Sequence, residues 1–95
     1  MGASLNVAIN KGAYLISDRA TWISFKNKAN HEILVENEPL LFNFYGVIPI
    51  NKKKCPNVKE ELANKFIRWL LDNKTKEKIN SYRLANQQLF FSIQN

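Results

Sequence analysis

The chain has 95 residues, enough for one small domain, and a domain of this size buries only about 60–65% of its unfolded surface. Its hydrophobic content of 45%, with eleven aromatic residues, excludes a disordered chain, and no apolar run reaches the roughly 18–20 residues that a spanning helix needs. The net charge of +6 comes from eleven lysines and three arginines, alongside thirteen asparagines, a pattern that fits solvated lysine faces better than a dedicated polyanion surface.

Taken in chain order, Leu5, Ala8 and Ile9 recur at i, i+3, i+4 and predict a short helix over residues 3–10, stopped by Gly12. Ala13 to Ser17 form an apolar run that fits a buried strand. Asp18 follows as a helix cap, and Trp22, Ile23 and Phe25 supply an apolar helical face. Residues 26–30 are polar and read as a loop. Glu32 to Glu36 predict a second strand, Asn37-Glu38-Pro39 a turn, and Leu41 to Ile50 a longer extended segment limited by Pro49.

Asn57 with Glu60 three residues on resembles a capping box. Val58, Leu62, Phe66, Trp69 and Leu70 then keep the 3.6-residue period to about Leu71. Asp72 and Asn73 break this helix. Lys74 to Leu84 predict another, with Ile79 and Tyr82 inward, and Gln87 to Ile93 an extended tail. Phe66 and Trp69, like Phe42, Phe44 and Tyr45, are expected in the core. Apolar extended runs separated by helices give an α/β class in the order α-β-α-β-β-α-α, as one domain over residues 1–95.

Chemistry concentrates between strand and helix, where Ser17, Asp18, Arg19 and Thr21 fall within five residues. Strand ends of open α/β sheets border ligand crevices, and a helix start offers unpaired N–H groups. Arg19 adds a charged, forked donor. Against this, Asp18 reads as a plain helix cap, Thr21 as a first-turn hydroxyl, and Arg19 as a surface partner of Asp18 or Glu32. Cys55 and His31 are each alone, which excludes an intrachain disulfide and a four-ligand zinc site. No nucleophile elbow or paired-carboxylate motif marks an enzyme.

The stretches Gly12–Trp22, Leu40–Ile48, Phe66–Leu70, Tyr82-Arg83 and Asn86-Gln-Gln-Leu-Phe-Phe91 together resemble the C-terminal part of the tungstate-binding proteins of bacterial ABC importers. The resemblance implies the C-terminal portion of a type II periplasmic-binding-protein-like fold, hence a fragment of a two-lobed receptor. It implies a ligand that is a tetrahedral oxyanion, tungstate or molybdate, and no cofactor. Partners would be the importer's membrane subunits and an N-terminal lobe with a Thr/Ser anion loop. The compartment would be the periplasm, although no signal segment is read at this N-terminus.

By the same resemblance Ser17, Arg19 and Thr21 are the ligand-binding residues, with Ala20 where a glycine is frequent. Such an ion only accepts hydrogen bonds, so its site must offer donors and few carboxylates. With one lobe absent, the chain alone is expected to bind tungstate weakly or undetectably, and to form a homodimer through uncovered apolar surface. The alternatives are a basic nucleic-acid-binding module, suggested by a pI of 9.6 and interleaved aromatics, and the ligand-sensing part of a transcription regulator. No helix-turn-helix or RNP signature supports the former, and a nucleic-acid partner is not expected.

Overall fold

Residues 1–93 are described by the computed structural model. Helix α1 spans Gly2–Lys11 and buries Leu5 and Ala8, whose spacing puts them on one face. Gly12 ends it at φ 62°, ψ 35°. The Gly12 N–H donates to Ile9 O at 3.3 Å and the Ala13 N–H to Ala8 O at 2.9 Å, the bond pair of a Schellman closure. Helix α2, Arg19–Ser24, lies beside α1 and buries Ile23. Leu5, Ala8 and Ile23, with Leu89, are the buried apolar side chains among the described residues.

Helices α3 (Glu60–Leu71) and α4 (Asn73–Ser81) meet at Asp72, whose carboxylate accepts from the Lys74 N–H at 3.1 Å and caps α4. The break at Asp72 is where the sequence puts it. The start of α3 is not: Asn57 sits in a turn in which the Val58 N–H reaches Cys55 O at 3.2 Å, and Lys59 precedes the first helical residue without a side-chain cap. Glu60 and Glu61 in the first turn and Arg68 in the last suit the helix dipole.

Helix α4 stops at Ser81 rather than running to Leu84. The chain turns instead into a hairpin of β1 (Arg83–Leu84) and β2 (Gln87–Gln88), antiparallel with Arg83 opposite Gln88. Ala85 and Asn86 occupy the turn at φ 49° and 61°, the signs of a primed two-residue turn. Tyr82, expected inward, is exposed.

The three strands read from the sequence are corrected. Residues 13–17, 32–36 and 42–50 are non-helical but belong to no ladder, and Pro39–Leu41 form a 3₁₀ turn. A strand is completed by neighbours that take its N–H and C=O groups, and the sheet among the described residues consists of β1 and β2 alone. The expected order therefore retains its helices, while its three β positions are unpaired.

The expected core is corrected for the same reason. Phe66 (54% exposed) and Trp69 (53%) stack on each other at 5.6 Å but stand in solvent, and Phe42, Phe44 and Tyr45 are likewise exposed. The molecule measures 51 × 29 × 24 Å with a radius of gyration of 17.7 Å, against about 12–13 Å for a compact domain of this length. It exposes 8474 Å², whereas a folded monomer of this mass exposes about 5600 Å². The unpaired segments and α3 leave large apolar side chains exposed, among them Ile16, Leu34, Ile48, Leu62 and Phe66.

Candidate anion site at the start of the second helix

The residues between the first extended run and α2 are organised by Asp18. Its Oδ2 accepts from the Thr21 N–H at 2.9 Å, and the Thr21 Oγ1 donates to the same carboxylate, 2.7 Å from Oδ1 and 2.8 Å from Oδ2. The Thr21 hydroxyl, then its N–H, holds the Asp18 carboxyl below its ordinary range, against an opposing effect of burial. Asp18 is thus the cap that its position suggests. Ser17 Oγ donates to the Asp18 carbonyl at 3.0 Å. The hydroxyl protons of both Ser17 and Thr21 are engaged within the junction itself.

Arg19 reaches away from this cap. Its Nε donates to Gln88 O at 2.7 Å and its Nη1 to Glu36 Oε2 at 2.8 Å, and its guanidinium carbon lies 5.9 Å from the Phe91 ring centroid. The expected partners Asp18 and Glu32 are replaced by Glu36. The substitution has a simple geometric cause: the Asp18 carboxylate is turned to Thr21, and Glu36 lies at the far end of its extended run, where the chain approaches the hairpin. Arg19 keeps 32% of its side chain exposed and Glu36 49%. Of the five guanidinium N–H groups, these bonds engage two.

The structure gathers Ser17 and Thr21 around Asp18 and sends the Arg19 side chain to Glu36, Gln88 and Phe91, surroundings that sequence reasoning missed. An acidic residue at the close of an apolar run was the available signal for Glu36. A backbone carbonyl such as that of Gln88 leaves no side-chain signal.

The junction is also less receptive than a helix start suggests. Helix α2 has six residues; the Asp18 side chain already takes the Thr21 N–H of its first turn, and the Trp22 N–H bonds Asp18 O at 3.2 Å. Glu36 pairs with the guanidinium while the Asp18 carboxylate is held by Thr21, so the three residues together carry one net negative charge.

Elsewhere two open apolar grooves occur. One, of about 250 Å³, is lined by Trp69, Thr75, Lys78, Ile79, Tyr82 and Phe90. The other, of about 360 Å³, lies between Val47–Ile50 and the Ala63–Ile67 stretch of α3. Neither borders Ser17, Arg19 or Thr21. Among the described residues no His, Cys, Asp or Glu cluster could hold a metal ion, Cys55 is exposed, and His31 Nε2 lies 3.1 Å from Ala13 O.

Residues 1–74 match the family model of a PBP superfamily domain. The chain is 39% identical over 94 residues to the tungstate-binding protein TupA of Campylobacter jejuni, covering 95% of this chain and 35% of that protein. It is 42% identical over 82 residues to the tungstate-binding protein TupA of Peptoclostridium acidaminophilum, covering 86% and 29%. It is 36% identical over 96 residues to a putative ABC transporter anion-binding protein of Haloferax volcanii, covering 96% and 28%. The chain therefore spans about a third of the length of these curated relatives. No solved structure matches it.

Proposed function

Because the chain belongs to the PBP superfamily, we propose that it is part of a solute receptor of an ABC importer and binds a tetrahedral oxyanion, tungstate or molybdate. The observation that carries this reading is the similarity, over nearly the whole chain, to two proteins named for tungstate binding and one named for anion binding. Their names favour a small anion over a nucleic acid.

Within that reading Arg19 supplies charge and its uncommitted N–H groups, and Ser17 and Thr21 supply hydroxyl donors once their protons turn from Asp18 to the ligand. The receptor acts by binding and closing on its ligand, and performs no bond chemistry. Its working compartment is the periplasm, and its partners are the importer's membrane subunits. Residues 13–17, 32–36 and 41–50 become sheet strands when the remainder of the receptor supplies their neighbours, giving the type II order expected from the sequence.

Burying a dianion demands that every oxygen find donors, and this chain offers few. The 95-residue chain alone is therefore expected to bind tungstate weakly or undetectably, and submicromolar binding would refute the need for a second lobe. In the longer receptor carrying this sequence, Arg19→Ala is expected to weaken tungstate binding sharply in calorimetric titration. Unchanged affinity removes Arg19 from the site.

A further inference from the structure

Resting on the oxyanion reading above, we infer that Glu36 is a built-in rival of the ligand: its carboxylate occupies an edge of Arg19 that the oxyanion uses, and the anion binds by displacing it. Three observations lead there. The Glu36 Oε2 lies 2.8 Å from Nη1, the donor geometry that an oxyanion oxygen needs. Glu36 is half exposed, so its carboxylate can swing into water, and ion pairs this exposed are weak. Arg19 does not depend on Glu36 for its aim, because Nε stays anchored to the Gln88 carbonyl at 2.7 Å and Phe91 flanks the guanidinium.

The charge count points the same way. With Asp18 committed to Thr21, Glu36 is the negative charge that can leave, and its departure opens the Nη1 edge while moving repulsion away from the incoming dianion. Glu36 thus sets affinity by competing for Arg19 and favours anions charged enough to outcompete a carboxylate.

The test is an NMR titration with sodium tungstate of the longer receptor that carries this sequence, followed at the Arg19 Nε–H, for the wild type and for Glu36→Gln, Arg19→Ala and the double variant. Glu36→Gln keeps the side chain's shape and its acceptor oxygen but loses the charge. It is expected to lower the dissociation constant about threefold to tenfold, the effect of one nearby charge in high dielectric. In the Arg19→Ala background the same change is expected to do nothing, since the two act as a pair. A merely structural Glu36 gives the opposite sign, weaker binding on substitution.

Unchanged or weaker binding by Glu36→Gln, with binding lost in Arg19→Ala, overturns the rivalry and leaves the oxyanion reading intact. Equal tightening with and without Arg19 also overturns it, by showing a general charge effect. Wild-type affinity in Arg19→Ala, or no tungstate response in any of the proteins, overturns both.

Discussion

The carbonyl oxygen of Gln88 lies 2.7 Å from Nε of Arg19, sixty-nine positions away in the chain. This single bond joins the start of α2 to the hairpin that follows α4. It makes the guanidinium a strut between these two segments, as well as the candidate anion donor.

Removing the strut is expected to loosen the hairpin. A hydrogen bond from a charged donor is worth about 1.5–3 kcal/mol, and the partial exposure of Arg19 puts the expected loss near the lower end. Arg19→Ala should therefore speed amide exchange at Leu84 and Gln88 several-fold, and leave α1 as protected as before. Unaltered exchange in the hairpin would show that the bond carries no load.

The Asp18 cap gives a second expectation. Asp18→Ala leaves the Thr21 N–H and hydroxyl without their acceptor and should cost about 1 kcal/mol, with fraying of the six-residue α2. Because the folded carboxyl is held below its ordinary value of 3.8, its stabilising effect is complete above that pH and is lost as pH falls through the lower folded value. The Thr21 amide resonance should report that loss in an acid titration. A midpoint above 3.8 at this amide would contradict the assignment.

Two left-handed residues should respond in opposite directions. Ala85 holds φ 49° with a Cβ, a conformation costing about 1–2 kcal/mol for an L side chain, so Ala85→Gly should stabilise the hairpin despite the extra freedom of glycine. Gly12 holds φ 62° in open space, with nothing within 4 Å of an added Cβ. Gly12→Ala should cost about 1 kcal/mol through the backbone alone. Thermal melts of the two variants compare the effects directly.

The exposed face predicts self-association. The surface beyond that of a compact monomer, about 2900 Å² per chain, exceeds the roughly 1000–2500 Å² that each partner buries in a stable obligate interface. The isolated chain should form dimers or strand-exchanged species at high concentration, and Phe66→Asp should reduce them. A clean monomer in analytical ultracentrifugation at millimolar concentration counts against this.

Local signals in the sequence located the helices and several of their ends, though not the start of α3 or the stop of α4. Gly12, Asp18 and Asp72 act within one turn of where they stand, and the structure puts them at the ends that their chemistry dictates. The strands were not decided locally. Residues 42–50 have β-branched and aromatic composition, yet pairing requires another segment at ladder distance, and composition cannot supply one. The primed turn at Ala85-Asn86 escaped notice because alanine is a poor marker for positive φ. At the candidate site, Ser17, Asp18 and Thr21 were legible as a local cluster. The reach of Arg19 to Glu36 and Gln88 was not, since it depends on how distant segments come together.

The most direct test maps tungstate by NMR, amide by amide, onto these residues in the longer receptor that carries them. Binding at the start of α2 requires shifts centred on Ser17 to Thr21 and on the Arg19 Nε–H, all lost in Arg19→Ala. Shifts confined to Lys52–Lys54, or a response at Ser17 to Thr21 that persists unchanged in Arg19→Ala, would contradict it.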